Sequence, residues 1–174
     1  QWYPYISPGG WPDCDMIPLG HLSIRGELGT SRMTRLSTDE QYTLMSLFTI
    51  LKSPLMFGGD LPGNDSFTLA LLTNTAVLKM HKESSDTRYL FNENGKVAIT
   101  SKNKKTGDTY LALFNLKDEN TDVEVALNLL GLKGVVTATN LWDGNDRYEV
   151  KEKFTKNLRP HSAVLVKLHM QATK

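Results

Sequence analysis

Apolar residues recur with helical spacing in the first half of the chain. Leu44, Leu47, Phe48 and Leu51 follow the pattern i, i+3, i+4, i+7, which predicts a helix with that face buried. Ser37 and Glu40 have the spacing of a capping box at its start, and Ser53-Pro54 ends it.

Other runs in the first 80 residues alternate between strand and helix. Residues 2–6 are aromatic and β-branched and predict a short strand, and a long Gly- and Pro-rich loop follows over 9–36. Residues 55–58 are continuously apolar, which predicts a strand buried on both faces. Asp65 caps a second predicted helix that runs to about Leu72, and residues 75–80 form a further short turn. This order fits part of either a β/α barrel or a doubly wound sheet.

From about residue 82 onward the pattern changes to short β-type runs separated by polar turns. The predicted strands are 97–99, 110–114, 123–127, 135–138, 148–150 and 163–166, and the turns are 93–95, 106–108, 143–146 and 159–161. Regularly spaced short strands of this kind predict an antiparallel β-sandwich. The polar stretch Glu83-Ser84-Ser85-Asp86 marks the boundary, so we expect one unit over 1–82 and a second over 83–174.

Composition narrows the class of protein. The chain has 174 residues, 40% of them hydrophobic and 22% charged, with a formal net charge of +1, which gives no reason to expect nucleic acid or an anionic membrane as partner. No apolar run approaches the ~20 residues that span a bilayer. Cys14 is the only cysteine, so no disulfide can form within the chain. Cysteine usage therefore does not reveal the cellular compartment of the protein. The chain opens with Gln1 on an aromatic run, which suggests the middle of a longer protein.

Side chains that could bind a ligand are most concentrated in residues 8–16, Pro-Gly-Gly-Trp-Pro-Asp-Cys-Asp-Met. Asp13 and Asp15 would point to the same side of an extended segment. A glycosidase places its two carboxylates on opposite sides of the bond it cleaves, so neighbours on one loop suit hydrogen bonds to sugar hydroxyls, or simply to the local turn. Trp11 suits stacking against a sugar ring or burial in a core.

The remaining candidates carry weaker signals. Asp60 follows the predicted strand 55–58 and is either a supporting carboxylate near a site or a turn cap. Arg25, Arg32 and Arg35 are expected to form ion pairs within the long loop, with shaping of the loop or contact with the outer part of a substrate as the alternatives. The four histidines are scattered without metal-ligand spacing, and no phosphate, dinucleotide or zinc motif is present. We therefore expect no metal and no cofactor.

Residues 8–16 closely resemble the segment after the seventh barrel strand of glycoside hydrolase family 27, the α-galactosidases or melibiases. The family pattern has Asn where this chain has Pro12, and Pro where it has Cys14. The resemblance continues through 39–42 and through 53–61, which is similar to the eighth strand. In the second half, 140–144 and 160–165 resemble the late landmarks of the family's β domain.

The resemblance implies the last strands and helices of a (β/α)8 TIM barrel followed by an antiparallel β-sandwich, taken from a retaining glycosidase that removes terminal α-galactose. The family's nucleophile and acid/base aspartates precede residue 8, so no catalytic residue is expected in this chain. Asp15 would hydrogen-bond the sugar, Met16 would contact it, and Trp11 would shape the pocket floor. Asp13 and Asp60 would lie next to these residues and help to position them without contacting the sugar.

Two consequences and one alternative follow. The chain alone is expected not to hydrolyse an α-galactoside. Strands without their barrel neighbours leave open edges, so self-association, or association with the missing barrel portion, is expected. The alternative is a non-enzymatic carbohydrate-binding or accessory module.

Overall fold

The computed structural model describes residues 3–7, 9–27 and 29–171 of the chain. Its helices are α1 (Thr38–Ile50), α2 (Ser66–Thr73) and α3 (Thr75–Glu83), with short 3-10 helices at Tyr3–Tyr5 and Leu127–Leu130. Its strands are β1 (His21–Leu22), β2 (Arg32–Met33), β3 (Ser85–Glu93), β4 (Lys96–Lys102), β5 (Thr109–Asn115), β6 (Thr121–Ala126), β7 (Val136–Asn140), β8 (Arg147–Val150), β9 (Lys153–Leu158) and β10 (Ala163–Met170).

An antiparallel six-stranded sheet dominates the fold, in the order β3-β4-β5-β10-β7-β8. One face packs against the two-stranded sheet of β6 and β9, and this interface contains Leu111, Leu113 and Phe154. The opposite face packs against α1 and α3 through Ile50 and Met80. The central strand β5 is therefore buried along its whole length.

The second half follows the predicted pattern closely. All six predicted strands are present, and the antiparallel sandwich is confirmed. Asn94 and Gly95 both adopt positive φ, 51° and 70°, as a two-residue hairpin turn requires. Two strands were missed. β3 begins at Ser85, inside the stretch interpreted as a linker, and β9 was hidden by its lysines although Phe154 and Leu158 alternate correctly on its buried side.

Both predicted helix caps are confirmed. Ser37 Oγ accepts the Glu40 backbone N–H while Glu40 Oε2 accepts the Ser37 N–H at 2.7 Å, so the capping box is complete. The Asp65 carboxylate accepts the Thr68 N–H at 2.7 Å at the start of α2. The predicted turn at 75–80 is a nine-residue helix, α3.

The predicted buried face of α1 is only partly correct. Phe48 is buried, but Leu44, Leu47 and Leu51 are half-buried, while Met45 and Ile50 are fully enclosed. The reason is that α1 packs on two sides, against the six-stranded sheet and against a third core. That third core contains the side chains of Ile17, Leu19, Met45, Phe48 and Leu71.

Three predictions for the first half are wrong. Residues 3–5 form a 3-10 helix rather than a strand, since Pro4 fixes φ and lacks an N–H for a ladder; Trp2 lies outside the described residues. The loop over 9–36 contains the hairpin of β1 and β2. Residues 55–58 are not buried on both faces, and Met56 is 55% exposed, because this segment pairs through a single parallel bridge, Ile17 with Phe57.

Candidate functional site

Two parallel segments, 16–21 and 56–60, form the frame of the candidate site. The Ile17 N–H donates to the Met56 carbonyl at 2.7 Å, and the Gly58 N–H donates to the Ile17 carbonyl at 3.0 Å. Further along, the Asp60 N–H donates to the His21 carbonyl at 2.8 Å. A Cβ on Gly58 would lie 3.1 Å from the Met16 Cβ, so the glycine leaves room for the Met16 side chain beside it.

Asp13 and Asp15 form a tight polar corner immediately before this frame. Asp13 Oδ1 accepts the Asp15 N–H at 2.8 Å, and Asp15 Oδ1 accepts the Met16 N–H at 2.6 Å. Asp15 has φ of 70°, a left-handed conformation that aspartate tolerates better than most residues. The extended geometry expected for this pair is therefore wrong. Each exposed carboxylate uses one oxygen in the local turn, and its second oxygen remains as an acceptor.

The corner is tied to the rest of the fold through its middle residue. The Cys14 N–H donates to Ser53 Oγ at 2.9 Å, and Ser53 is fully buried. This bond links the corner to the segment that follows α1, across 39 residues of sequence. The position of Asp15 therefore depends on α1 and on the residues after it.

Met16 and Asp60 line one cavity of about 490 Å³ together with His21, Ile24, Arg25 and Arg32. The His21 ring nitrogen Nε2 lies 2.7 Å from Ser31 Oγ. The Arg32 guanidinium donates to Ser23 Oγ at 3.2 Å and to the Thr30 carbonyl at 3.1 Å. The cavity thus combines apolar side chains with hydrogen-bond donors and acceptors.

The long loop supplies several side chains to this cavity. The ion pairs expected of its arginines stay a prediction. Glu27 accepts the backbone N–H of Arg25 at 3.3 Å, and the Arg32 bonds named above go to a hydroxyl and a carbonyl. His21 and Ile24 were not singled out by sequence reasoning. Their only signal was their position on a loop longer than usual.

Asp60 and His21 both line this cavity and both approach Gly63. A Cβ on Gly63 would lie 2.6 Å from Asp60 Oδ2 and 3.0 Å from His21 Nδ1. The Gly63 N–H donates to the backbone carbonyl of Asp60 at 3.2 Å. Asp60 therefore belongs to a turn and is also one of the residues that line the cavity.

Trp11 lies apart from Met16 and Asp60. Its side chain is 52% exposed and lines a second cavity, of about 350 Å³, with Lys52 and His81. Lys52 Nζ donates to the carbonyls of His81 and Lys82 at the end of α3. Asp13 and Asp15 line neither cavity. The structure therefore does not enclose the three predicted sugar contacts, Trp11, Asp15 and Met16, in one cavity.

The second cavity has an unusual electrostatic setting. Burial lowers the pKa of Lys52 and that of His81, because the charged form of each loses contact with water. The His81 ring donates from Nε2 to the Ser53 carbonyl at 2.9 Å, since a carbonyl can only accept. The proximity of Lys52 lowers the pKa of His81 further.

Metal binding and membrane crossing can be addressed for residues 3–7, 9–27 and 29–171. Within these ranges no three His, Cys, Asp or Glu side chains are placed to hold a metal ion. The helices in the same ranges are too short or too polar to traverse a bilayer. What the site offers is a set of carboxylate oxygens, guanidinium donors and apolar surfaces, which suits binding of a polyhydroxylated ring from one side.

The chain is similar in sequence to a known domain family and to curated α-galactosidases. Residues 94–168 match the family described as the α-galactosidase C-terminal β-sandwich domain. The chain is 29% identical over 168 residues to α-galactosidase D of Emericella nidulans, covering 94% of this chain and 24% of that protein. It is 25% identical over 183 residues to α-galactosidase 2 of Arabidopsis thaliana, covering 97% of this chain and 40% of that protein.

Solved structures give a closer match. A β-L-arabinopyranosidase of glycoside hydrolase family 27 from Geobacillus stearothermophilus is 41% identical, with a TM-score of 0.94 over 99% of this chain and 40% of that chain. A variant of that enzyme was crystallised in complex with arabinose. The chain thus spans between about a quarter and two fifths of the length of these relatives.

Proposed function

Because this chain corresponds to the C-terminal portion of glycoside hydrolase family 27 enzymes, we propose that it is the closing part of a retaining glycosidase. Residues 1–82 would supply the last two strands and helices of a (β/α)8 barrel, and residues 83–174 would form the sandwich domain that follows. The parallel bridge between Ile17 and Phe57 supports this proposal, since adjacent strands of such a barrel run parallel.

The proposed role of the chain is to form one wall of the sugar pocket. Asp15 would accept hydrogen bonds from sugar hydroxyls through the oxygen that its turn leaves unused, and Met16 would pack against the ring. Asp13 holds the turn that positions Asp15, and Asp60 would support the wall from the far side of the Met16 cavity. Trp11 would shape the floor, in contact with upstream barrel segments. The observation that carries the proposal is the shared cavity of Met16 and Asp60 on the paired parallel segments.

The bond-breaking groups would come from upstream polypeptide. In a retaining mechanism one carboxylate attacks the anomeric carbon, and the leaving oxygen takes a proton from a second carboxylic acid. Water, deprotonated by that second group, then cleaves the glycosyl-enzyme ester and restores both carboxyl groups. Asp13 and Asp15 both engage the same turn, so the two carboxylates would approach a glycosidic bond from one side rather than from opposite sides.

The chain alone is therefore expected to be inactive. The test is hydrolysis of a nitrophenyl α-galactoside by the purified 174-residue chain, beside the longer polypeptide that includes the upstream barrel. The longer protein should release nitrophenol and the chain alone should not. Turnover by the chain alone would contradict the proposed position of the catalytic groups. Saturable galactose binding without turnover by either protein would favour the accessory carbohydrate-binding module instead.

The substrate is proposed to be a terminal α-galactoside, with a β-L-arabinopyranoside as the second candidate. The β-L-arabinopyranoside is included because the chain is 41% identical to the arabinopyranosidase and 29% identical to an α-galactosidase. β-L-Arabinopyranose has the ring configuration of α-D-galactopyranose without the exocyclic hydroxymethyl group. Comparing kcat/KM of the longer polypeptide for the two nitrophenyl glycosides decides between them, because one pocket either accommodates or excludes that group.

The apolar surface of the first half is proposed to be the contact with the rest of the barrel. Trp11, Met16 and Met56 are each more than half exposed. Met16 and Met56 lie on the paired parallel segments, and exposed apolar area of this kind typically marks an interface. The chain alone is therefore expected to self-associate, which light scattering would show as a mass above that of the monomer. A stable monomer at high protein concentration would contradict this.

A further inference from the structure

A third cavity, of about 280 Å³, lies where the start of α1 meets the turns after β7 and β9. The side chains that give it chemical character are those of Asp39, Tyr42, Asn140, Trp142, Asp143 and Arg159. We propose that this cavity is a second carbohydrate site, separate from the Asp15 and Met16 wall, that binds one neutral pyranose ring. The inference stands on this lining and does not depend on the proposed glycosidase function.

The aromatic wall of this cavity is fixed in place. The Trp142 indole N–H donates to Ser46 Oγ at 2.9 Å, and Ser46 is fully buried. Tyr42 meets Trp142 edge-on, with ring centroids 5.2 Å apart and an interplanar angle of 64°. The C–H face of a pyranose packs well on such rings, and a wall that is already ordered loses little entropy on binding.

The polar wall offers both donors and acceptors. The Arg159 guanidinium lies 2.5 Å from Asp39 Oδ1. Asp143 Oδ1 accepts the Asn145 N–H at 3.0 Å, so the turn uses one of its two oxygens. Asn140 is engaged within the protein, because Oδ1 accepts the Trp142 N–H and Nδ2 donates to Asp146. The atoms left to hydrogen-bond a ligand are therefore the second carboxylate oxygens of Asp39 and Asp143 and the Arg159 nitrogens that do not contact Asp39.

Charge and size select the ligand class. Two carboxylates and one guanidinium give the lining a formal charge of −1, which disfavours phosphorylated or acidic sugars. Sugar hydroxyls both donate and accept, so a neutral ring satisfies both kinds of group. The volume, about 280 Å³, lies just below the about 300–1,000 Å³ typical of ligand pockets, so it suits a single ring rather than a chain of several.

The test is an NMR titration of the 174-residue chain labelled with ¹⁵N-tryptophan. Trp142→Phe identifies the Trp142 indole resonance by its loss. D-Galactose is then added to the unsubstituted chain, with D-sorbitol as the control, since sorbitol has a similar density of hydroxyls but no ring. We expect a saturable shift with D-galactose, with a Kd on the order of 1 mM, and no saturable shift with D-sorbitol.

Variants separate this site from the Asp15 wall and from a folding defect. Asp143→Ala is expected to weaken the response about tenfold or more, as loss of a hydrogen bond to a charged group does. Asp143→Asn keeps an oxygen for the Asn145 N–H, so its thermal unfolding should be unchanged while its affinity also falls. Asp15→Ala and Glu149→Ala should leave the Trp142 response unaltered.

Any of four outcomes would overturn the proposal. These are no saturable shift at Trp142, an equal shift with D-sorbitol, an unchanged affinity in both Asp143 variants, or loss of the response in Asp15→Ala. The last would mean that the sugar acts through the Asp15 wall.

Discussion

The indole nitrogen of Trp142 lies 2.9 Å from the hydroxyl oxygen of Ser46, a residue 96 positions earlier in the chain. Ser46 lies in the middle of α1, and Trp142 lies two residues after the end of β7, so this bond joins the helical part to the six-stranded sheet. Trp142 packs against both cores that α1 separates. The hydroxyl of Thr43 adds a second connection by donating to the His161 carbonyl at 2.7 Å.

Trp142→Phe is expected to lower the free energy of unfolding by about 1–3 kcal/mol, because it leaves the buried Ser46 hydroxyl without this partner. Urea unfolding measures the change. Ser46→Ala and the double variant complete a mutant cycle. Because the indole and the hydroxyl are hydrogen-bonded, the double variant is expected to lose less than the sum of the two single variants; strict additivity would contradict a coupling between them.

Gly59→Ala is expected to lower the free energy of unfolding by about 1–3 kcal/mol through overpacking. A Cβ at this position would overlap the Leu19 carbonyl oxygen, which belongs to the backbone and cannot rotate away. Gly144→Ala is the matched control, since a Cβ there meets nothing within 4 Å, and it should stay within about 0.5 kcal/mol of the parent. Equal stability of the two variants would contradict the close approach of segments 16–21 and 56–60.

Stability is expected to fall as the pH drops below the ordinary pKa of histidine. Burial and the proximity of Lys52 hold the pKa of His81 below 6.5, so the unfolded chain takes up this proton more readily than the folded one. The contribution of the neutral ring is therefore fully present above pH 6.5 and is lost as the pH falls toward the lowered folded pKa.

The measurement is the urea midpoint from about pH 7.5 to about pH 5.5, the range in which histidine titrates. His81→Gln still has an N–H to donate toward the Ser53 carbonyl and does not titrate, so its midpoint should vary less with pH than that of the parent chain. Parallel curves for the two proteins would show that His81 does not cause the dependence.

Ser37→Ala is expected to lower the free energy of unfolding by about 1 kcal/mol, because it removes the Oγ that accepts the Glu40 backbone N–H and leaves only the backbone half of the capping box. The box also holds the pKa of the Glu40 carboxyl below its usual range, through the backbone and side-chain hydrogen bonds that it shares with Ser37. Its contribution is therefore present above pH 4.5 and declines in acid. Thermal unfolding checks the effect, with exposed Ser66→Ala, which follows the Asp65 cap, as a control of smaller expected cost.

The cavities required the tertiary structure. Trp11 and Met16 are five residues apart and were expected to share a pocket, yet they line different cavities. The left-handed turn at Asp15 and the bond from Cys14 to Ser53 lie between these two residues. Neither leaves a signal in a single sequence, because aspartate and cysteine are compatible with many backbone conformations.

Local features were determined by the sequence itself. The caps at Ser37 and Asp65, the hairpin turn at Asn94-Gly95 and the strands of the second half all rest on contacts or dihedral preferences within a few residues, which the side chains specify directly. Only the tertiary structure decided which face of α1 is buried, because the helix packs against two separate hydrophobic cores. It also decided that Trp142 joins sheet to helix, and that residues 55–58 remain half exposed. Burial depends on partners distant in the chain, and a periodic pattern records only that a face is apolar, not what covers it.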